Sequence, residues 1–487
     1  MTGQSTKLEN IPVKVIEEDL YEIRSKIYPR SVSGVFARWR FVLVFLTQLL
    51  FYGLPWMSWN DRQALLFDLV QRKFYIFGLV LWPQDVIYLT VLLILSAFGL
   101  FLFTAVAGRL FCGYACPQTV YTEIFMWIER KVEGDRLARI RLDGEEWPWS
   151  FRKIRIKFTK HALWIAVALW TGFTFIGYFT PIRTLAALSL AMSLGPWQLF
   201  WLFFYSFATW GNAGFLREQV CKYMCPYARF QSVMVDHDTY LVTYDQKRGD
   251  PRGSRSKSSD RKVLGLGDCV DCSICVQVCP TGIDIRDGLQ YMCIGCGACI
   301  DACDQVMDKL EYPKGLIRYT SERSIQEGLS VKETRSHIFR PRILIYSTLM
   351  LILMSVFVIA LGMRNPLRMD IMRDRGALSR ELATGEIENV YRIQVMNSSE
   401  FPMALGLTVT GLPKAQVLDS QGNMIEQIIV KPTSNLVLPL KVRVMPEGEH
   451  LGPTSIYFQL QGRELNGSLD QVQTRRREEK TTFIMPR

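Results

Sequence analysis

Eight cysteines between residues 269 and 303 carry the clearest chemical signal in this chain. They form two consecutive runs, each with the spacing C-x2-C-x2-C-x3-C. In proteins with this spacing, three thiolates of a run bind one [4Fe–4S] cluster and the fourth binds the neighbouring cluster. The ligands predicted for the first cluster are Cys269, Cys272, Cys275 and Cys303. The ligands predicted for the second cluster are Cys293, Cys296, Cys299 and Cys279.

Zinc is the alternative for these eight cysteines, because four thiolates also form a structural zinc site. Zinc ribbons usually separate their two C-x2-C pairs by many residues, whereas here two or three residues separate successive cysteines within a run. Gly282, Gly295 and Gly297 favour iron, since the backbone must turn tightly to approach the cluster sulfides. Pro280 follows the first run in the usual way, but Asp304 follows the second. We therefore predict two [4Fe–4S] clusters and the transfer of single electrons.

The four remaining cysteines form two matched C-x-x-x-C-P motifs. The motifs contain Cys112 and Cys116, and Cys221 and Cys225. Residues i and i+4 share one face of a helix, so each motif is expected to point two sulfur atoms the same way. Thiolates select soft metals such as Cu(I), zinc or an Fe–S centre. The alternative is that these are small buried hydrophobic side chains, as free cysteines often are.

The composition predicts that these sites are attached to a membrane. Hydrophobic residues make up 49% of the 487 residues, and the formal net charge is +11. The basic residues cluster beside apolar stretches, where they set membrane orientation, and we therefore expect no nucleic-acid partner. The first 35 residues are polar and lack an apolar core before a small-residue cleavage site, so no removable signal peptide is expected.

Five apolar segments are long enough to cross a bilayer, which takes roughly 20 residues. A single such segment could be a buried helix of a soluble protein, but five in one chain argue against that alternative. A unit of two spans followed by C-x-x-x-C-P occurs twice, over 41–117 and 162–226, which suggests an internal repeat. The predicted spans are 41–59, 86–108, 162–182, 196–216 and 343–363.

The positive charges predict how these spans are oriented. The stretch 109–160 carries 11 Lys and Arg residues, whereas 183–195 carries only Arg183. The positive-inside rule then places the N-terminus and both cysteine runs in the cytoplasm, and five crossings leave the C-terminus outside. The cytoplasm also keeps thiols reduced, as cluster assembly requires. Arg364 and Arg368 conflict locally with this orientation, because they follow the last span on the outer side.

The predicted fold is an α-helical membrane protein of about five transmembrane helices, with a two-cluster ferredoxin-like insert and a C-terminal immunoglobulin-like β-sandwich. The sandwich is inferred from alternating polar and apolar residues that recur between turn signals after about residue 388. A helix after Pro117 that carries Glu123, Glu129 and Arg130 is expected to lie solvated on the membrane surface. The predicted domains are a cytoplasmic segment 1–40, a membrane region 41–226, a linker and ferredoxin-like domain 227–342, a fifth span 343–363 and the β domain 364–487.

Four sequence stretches resemble the FixG/CcoG family, the membrane-bound ferredoxin-like accessory proteins of cbb-type cytochrome c oxidase. They are CGYACPQTVYTEIFMWIERKVEGDR from Cys112, CKYMCPYARFQSVM from Cys221, CVDCSICVQVCPTGIDIRDGLQ from Cys269 and CIGCGACIDACDQVMDK from Cys293. The second run of this family also ends in Cys-Asp. The resemblance extends over nearly the whole chain, and it implies a bacterial inner-membrane protein that reduces Cu(II) to Cu(I) for oxidase assembly.

Under this interpretation an unknown cytoplasmic donor reduces the clusters, and copper is the substrate. The copper site would consist of Cys112, Cys116, Cys221 and Cys225. The expected partners are subunits of the cbb-type oxidase or copper chaperones, together with a second copy of the chain in a homo-oligomer. Two alternatives stay open: a quinol-linked membrane ferredoxin of a respiratory chain, and a non-enzymatic assembly factor that acts through its β domain.

Overall fold

Apolar helices, a cysteine-rich domain and a β-sandwich make up the described part of this computed structural model. The described residues are 26–256, 263–374, 379–425, 427–446, 452–465 and 474–486. Most of the predicted segment 1–40 lies outside them. The first helix, α1 (Val35–Gly53), begins six residues before the predicted first span and continues as a 3-10 turn to Trp56.

Five short strands follow α1, although the sequence analysis predicted none between the first two spans. They form one hairpin and one three-stranded sheet. Each strand has only two to four residues, too few for a clear alternation of polar and apolar side chains. They are β1 (Ser58–Trp59), β2 (Arg62–Gln63), β3 (Leu65–Asp68), β4 (Lys73–Ile76) and β5 (Leu79–Leu81).

Eight helices follow these strands and complete the first half of the chain. Two π-helical turns, Asn212–Leu216 and Val220–Met224, lie between the last two of them. The helices are α2 (Val86–Ala107), α3 (Leu110–Tyr114), α4 (Pro117–Val132), α5 (Arg136–Asp143), α6 (Phe151–Ile176), α7 (Ile182–Leu190), α8 (Pro196–Gly211) and α9 (Pro226–Met234).

The cysteine-rich domain is held together by a two-stranded antiparallel sheet and a pair of packed helices. The predicted linker at its start is partly ordered, since a helical turn (α10) occupies four of its residues, while 257–262 lie outside the described part. The elements are β6 (Leu241–Tyr244), α10 (Gln246–Gly249), α11 (Ile274–Val278), α12 (Ala298–Leu310), β7 (Ile317–Thr320), α13 (Glu322–Glu327) and α14 (Val331–Ser336).

The last apolar helix, α15 (Pro341–Gly362), agrees with the predicted fifth span to within two residues. Within the described residues, three helices are long and apolar enough to cross a membrane, and they contain α1, α2 and α15. The third and fourth predicted spans are helical as well, in α6 and α8. The first third of α6 is basic and α8 has only 16 residues, so the five-crossing topology stays a prediction.

The C-terminal region is a two-sheet sandwich, as the alternation predicted. One sheet has the strand order β12-β14-β10-β8, with β9 paired to β10, and the other has the order β13-β11-β15-β16. Their facing side chains, such as Tyr391, Phe458 and Phe483, are fully buried between the sheets. The strands are β8 (Leu367–Arg373), β9 (Arg380–Glu381), β10 (Ile387–Asn397), β11 (Met403–Thr410), β12 (Gln416–Leu418), β13 (Ile428–Val430), β14 (Asn435–Val444), β15 (Gly452–Glu464) and β16 (Thr474–Met485).

Helix α4 is not the solvated surface helix that its charges predicted. Glu129 is 1% exposed and accepts hydrogen bonds from Arg217 at 2.6 Å and Arg139 at 3.2 Å. Glu123 is paired with Arg130 at 3.0 Å and with Arg40 of α1 at 3.3 Å. Glu123 and Glu129 therefore face basic partners from other elements as well as Arg130 of α4 itself, because the fold brings Arg40, Arg139 and Arg217 onto this helix.

Candidate iron–sulfur and thiol site

The packing of α11 against α12 gathers the ligands predicted for the first cluster. Cys269 and Cys275 are buried in the core of the cysteine-rich domain, and Cys303 of α12 packs against the same core. Cys303 lies close enough to Cys275, Cys269 and Cys272 that each of them raises its pKa. Cys272 is the exposed member of the set, so this end of the domain is open to solvent.

The ligands predicted for the second cluster lie deeper. Cys279, Cys293, Cys296 and Cys299 line one small internal cavity, together with Cys275 of the first set. Cys299 interacts electrostatically with the other three and also with Cys275, so the division of the ligands between the two clusters stays a prediction. Burial raises the pKa of Cys293 to about 12, so this thiol is protonated at neutral pH and releases its proton when it binds iron.

The backbone and the ligand chemistry of these residues fit [4Fe–4S] clusters. Gly282, Gly295 and Gly297 have positive φ angles, between 64° and 73°, which only glycine adopts without strain. Four thiolates per cluster are the usual ligand set, and each bound cluster exchanges a single electron. Among the described residues, no three Cys, His, Asp or Glu side chains converge closely enough to hold a single metal ion.

The absence of proline after Cys303 has a structural reason. Helix α12 continues for seven residues past Cys303, to Leu310. Proline at position 304 would interrupt this helix, because proline removes a hydrogen bond and clashes with the preceding turn. Asp304 instead accepts a hydrogen bond from the backbone N–H of Gly315 at 3.0 Å.

The four remaining cysteines lie near one another beside the cysteine-rich domain, although within the described residues they do not converge closely enough to hold a single metal ion. Cys221 interacts electrostatically with Cys116, Cys112 and Cys225, and all four are half-buried. Burial raises the pKa of Cys112 to about 11, and the neighbouring Cys116 contributes to the shift. The Cys112 thiol also hydrogen-bonds to Gln231 Oε1 at 3.6 Å.

The prediction that each C-x-x-x-C pair lies on one continuous helix is wrong. Cys112 lies in α3 and Cys221 in a π-helical turn, but Cys116 and Cys225 have extended backbones with ψ of 128° and 110°. A residue before proline is driven out of the helical region by the proline ring. Pro117 and Pro226 then begin new helices, so each second cysteine lies at a helix start.

A direct contact joins the two groups of cysteines. The Tyr114 hydroxyl donates to the carbonyl oxygen of Cys296 at 3.1 Å. A Cβ atom added to Gly113 would lie 2.8 Å from the carbonyl oxygen of Ile294 and 3.0 Å from Cys296 Cα. Cys112 packs against the same apolar cluster as Cys296. Cys296, a ligand predicted for the second cluster, thus touches helix α3, which carries Cys112 of the first C-x-x-x-C motif.

Sequence analysis did not identify Asp301 as a residue of this site. Its carboxylate accepts hydrogen bonds from the backbone N–H groups of Phe36 at 3.2 Å and Ala37 at 2.8 Å. These donors are unpaired at the start of α1, so Asp301 acts as the cap of a helix from another part of the chain. The sequence shows that Asp301 lies between Cys299 and Cys303, but no local pattern indicates a hydrogen-bond partner 264 residues away.

Comparison with known proteins identifies the same three regions. Family models match residues 216–322 ("4Fe-4S dicluster domain"), residues 89–133 ("4Fe-4S binding domain") and residues 357–486 ("IG-like fold at C-terminal of FixG"). The Nitrogen fixation protein FixG of Rhizobium meliloti is 36% identical, with 90% of each chain covered. Protein RdxB of Cereibacter sphaeroides is 42% identical over 78% of this chain and 80% of its own.

A solved structure of a FixG-related protein from Vibrio parahaemolyticus is 24% identical. It covers 25% of this chain and 98% of its own, with a TM-score of 0.20. That score is too low to support an argument about fold.

Fold and site together define a membrane-bound iron–sulfur protein that transfers electrons and carries an immunoglobulin-like domain. The sequence identity to these relatives and the share of each chain that is covered narrow this class to one family. The chain belongs to the FixG family.

Proposed function

We propose that this protein reduces Cu(II) to Cu(I) for the assembly of a cbb-type cytochrome c oxidase. The observation that carries the proposal is the contact of Cys296 with Gly113 and Tyr114, beside Cys112. It brings a ligand of a one-electron carrier next to a group of four thiols. Thiolates favour Cu(I) over harder ions, so the same residues that bind the substrate also favour its reduced form.

The two ends of the cysteine-rich domain suit different roles. Cys272 is exposed, and we assign it to the end where a cytoplasmic donor delivers electrons. Cys296 is buried where the domain contacts α3, and we assign it to the end that delivers electrons to copper. Each Cu(II) ion takes up one electron, so one turnover needs neither a proton nor a second electron.

The orientation and partners form part of the proposal. The cysteine-rich domain would face the cytoplasm of a bacterium and the immunoglobulin-like domain would lie outside the inner membrane. That domain has no cysteine and is suited to holding oxidase subunits, copper chaperones or a second copy of the chain.

The test starts from anaerobically purified protein that is reduced and then freed of reductant. Addition of Cu(II) should reoxidise the clusters and yield one Cu(I) per electron, measured with a Cu(I)-specific chelator. The variant with Cys112→Ser and Cys225→Ser should keep about eight irons per chain, two clusters of four. Its Cu(I) production should fall about tenfold or more, the size of effect that altered metal coordination produces.

Two results would contradict the proposal. Clusters of the unaltered protein that stay reduced in the presence of Cu(II) would exclude copper as the electron acceptor. Equal rates of Cu(I) formation in the protein and in the double variant would exclude the four thiols as the copper site.

A further inference from the structure

A large pocket opens between the membrane helices α1, α4 and α6. Its volume is about 770 Å³, and its walls are mainly apolar. Phe41 and Phe45 of α1 line it and are strongly exposed, so the pocket is open along the side of α1. Since α1 and α6 contain predicted spans, this side would face lipid, and an occupant would enter from the bilayer.

One end of the pocket is polar, and it contains an unsatisfied acceptor. Glu123 bridges Arg40 and Arg130 there, so its carboxylate is held between two guanidinium groups. Gln48 Oε1 is buried and has no hydrogen-bond partner among the described residues. A buried acceptor without a partner costs free energy, and rotation of the Gln48 amide toward the pocket would let a bound hydroxyl group satisfy it. Tyr52 lines the same wall and hydrogen-bonds Thr171 at 2.9 Å.

The polar end lies next to the ligands of the second cluster. Arg40 interacts electrostatically with Cys296. The helix that carries Arg40 is fixed to the cysteine-rich domain through Asp301. A smaller cavity of about 20 Å³ shares Arg40, Glu123 and Arg130 with the pocket and reaches Val278 and Pro280, the neighbours of Cys279. It has room for about one water molecule.

We propose that this pocket binds a quinol with an isoprenoid tail, its ring at Gln48 and Glu123 and its tail between α1 and α6. The inference rests on the proposed electron transfer and deepens it, because it adds a membrane-side electron donor to the cytoplasmic one. A phospholipid also has an apolar tail, but its phosphate group would compete with Glu123 for Arg40 and Arg130. A quinol hydroxyl instead donates to Gln48 Oε1 once the amide has rotated toward the pocket, and it needs no displacement of that ion pair.

The chemistry of oxidation balances at this position. The quinol becomes a quinone and loses two electrons and two protons. One electron each would pass to the two [4Fe–4S] clusters that the eight cysteines of residues 269–303 would hold, and the protons leave past the Glu123 carboxylate through the small water-sized cavity.

The binding test uses the full chain in lipid nanodiscs and a photoreactive quinone, with labelled peptides mapped by mass spectrometry. Label is expected on α1 and α6 and should be displaced by unlabelled quinone. Ala166 lines the pocket, so Ala166→Trp should fill it and reduce labelling about tenfold or more. Ala162→Trp is the matched control, since Ala162 lies one turn away on the same helix, is exposed and does not line the pocket. It should label like the unaltered protein.

A redox test follows on the same preparations. A short-chain quinol added anaerobically should reduce the clusters of the unaltered protein and of Ala162→Trp, but not those of Ala166→Trp, as followed by electron paramagnetic resonance. Dithionite should reduce all three equally, which shows that the clusters are intact. Labelling that is insensitive to Ala166→Trp, co-purified phospholipid in place of quinone, or no reduction by quinol would each overturn the inference. Reoxidation of dithionite-reduced protein by Cu(II) needs no quinol, so failure here is distinguishable from failure of the proposed copper reaction.

Discussion

Asp85 shows how single charged residues are accommodated at the ends of the apolar helices. Its side chain is buried at the start of α2, and it forms ion pairs with Arg364, at 2.5 Å, and with Arg368. These two arginines are the residues that conflicted with the positive-inside rule. Pairing with one buried carboxylate offsets one of the two positive charges, which reduces the local conflict with the predicted orientation.

Replacing Asp85 is expected to destabilise the protein strongly. The Asp85→Asn variant leaves Arg364 buried without its counter-charge, and breaking a buried pair in this way costs about 3–5 kcal/mol. The midpoint of thermal unfolding in detergent should fall accordingly. Asp61→Asn is the control, because Asp61 is exposed in the neighbouring turn and should have little effect. Equal midpoints for the two variants would show that the pair contributes no stability.

At the scale of elements, long apolar runs and alternating strands were predictable, whereas contacts between distant segments were not. The bounds of helix α2 agree with its predicted span to within one residue. An apolar run in a membrane has to satisfy its backbone hydrogen bonds within the segment, and a helix does so. The strand β10 likewise follows from its alternation. The burial of Glu129 and the cap that Asp301 provides for α1 depend on partners far away in sequence. No local pattern encodes such partners.

The cysteine sites divide in the same way. The spacing of the eight cysteines predicted which thiols lie near one another, because the two runs are short and close in sequence. The two C-x-x-x-C motifs are separated by more than a hundred residues, and their meeting depends on how α4, α8 and α9 pack. The matching spacing of the two motifs suggested one shared site. Nothing in the sequence indicated that Cys296 contacts the helix that carries the first motif.

The contact between α3 and the cysteine-rich domain gives a prediction about electron transfer. Gly113→Ala adds a methyl group where Cys296 Cα and the Ile294 carbonyl oxygen already lie within 3.0 Å, so the two parts must move apart. Overpacking of this kind costs about 1–3 kcal/mol. We expect slower reoxidation of reduced clusters by Cu(II), measured by stopped-flow absorbance, with unchanged iron content.

Gly211→Ala is the matched control for this prediction, because a methyl group there meets nothing within 4 Å. It makes the same chemical change in a helix that carries no cysteine. If Gly113→Ala and Gly211→Ala react with Cu(II) at the same rate, close packing of α3 on the cysteine-rich domain is not needed for the electron to reach copper.

Across the whole molecule, the helices separate two groups of contacts. At one end, Glu400 of the β-sandwich accepts hydrogen bonds from Trp59 and Arg62 in the hairpin after α1. At the other end, Asp301 of the cysteine-rich domain holds the start of α1. Helix α1 therefore lies between these two groups of contacts and separates them by about its own length. This arrangement is compatible with the proposed orientation, in which the cysteine-rich domain and the β-sandwich lie on opposite sides of a membrane.

The five-crossing topology predicts the side of the membrane on which each terminus and each connecting loop lies. The contacts at the two ends of α1 do not test whether α6 and α8 cross the membrane, so a separate experiment is needed. An odd number of crossings puts the two termini on opposite sides, and the basic stretch 109–160 puts the N-terminus inside. An epitope tag before Met1 should then be protected from protease in intact spheroplasts, and a tag after Arg487 should be cleaved. A tag inserted after Ser193, between α7 and α8, decides whether α6 and α8 cross: it should be cleaved from outside if both do. Protection of that tag while the tag after Arg487 is cleaved would leave three crossings, formed by α1, α2 and α15, and would place the four thiols beside a shorter membrane region than the repeat suggests.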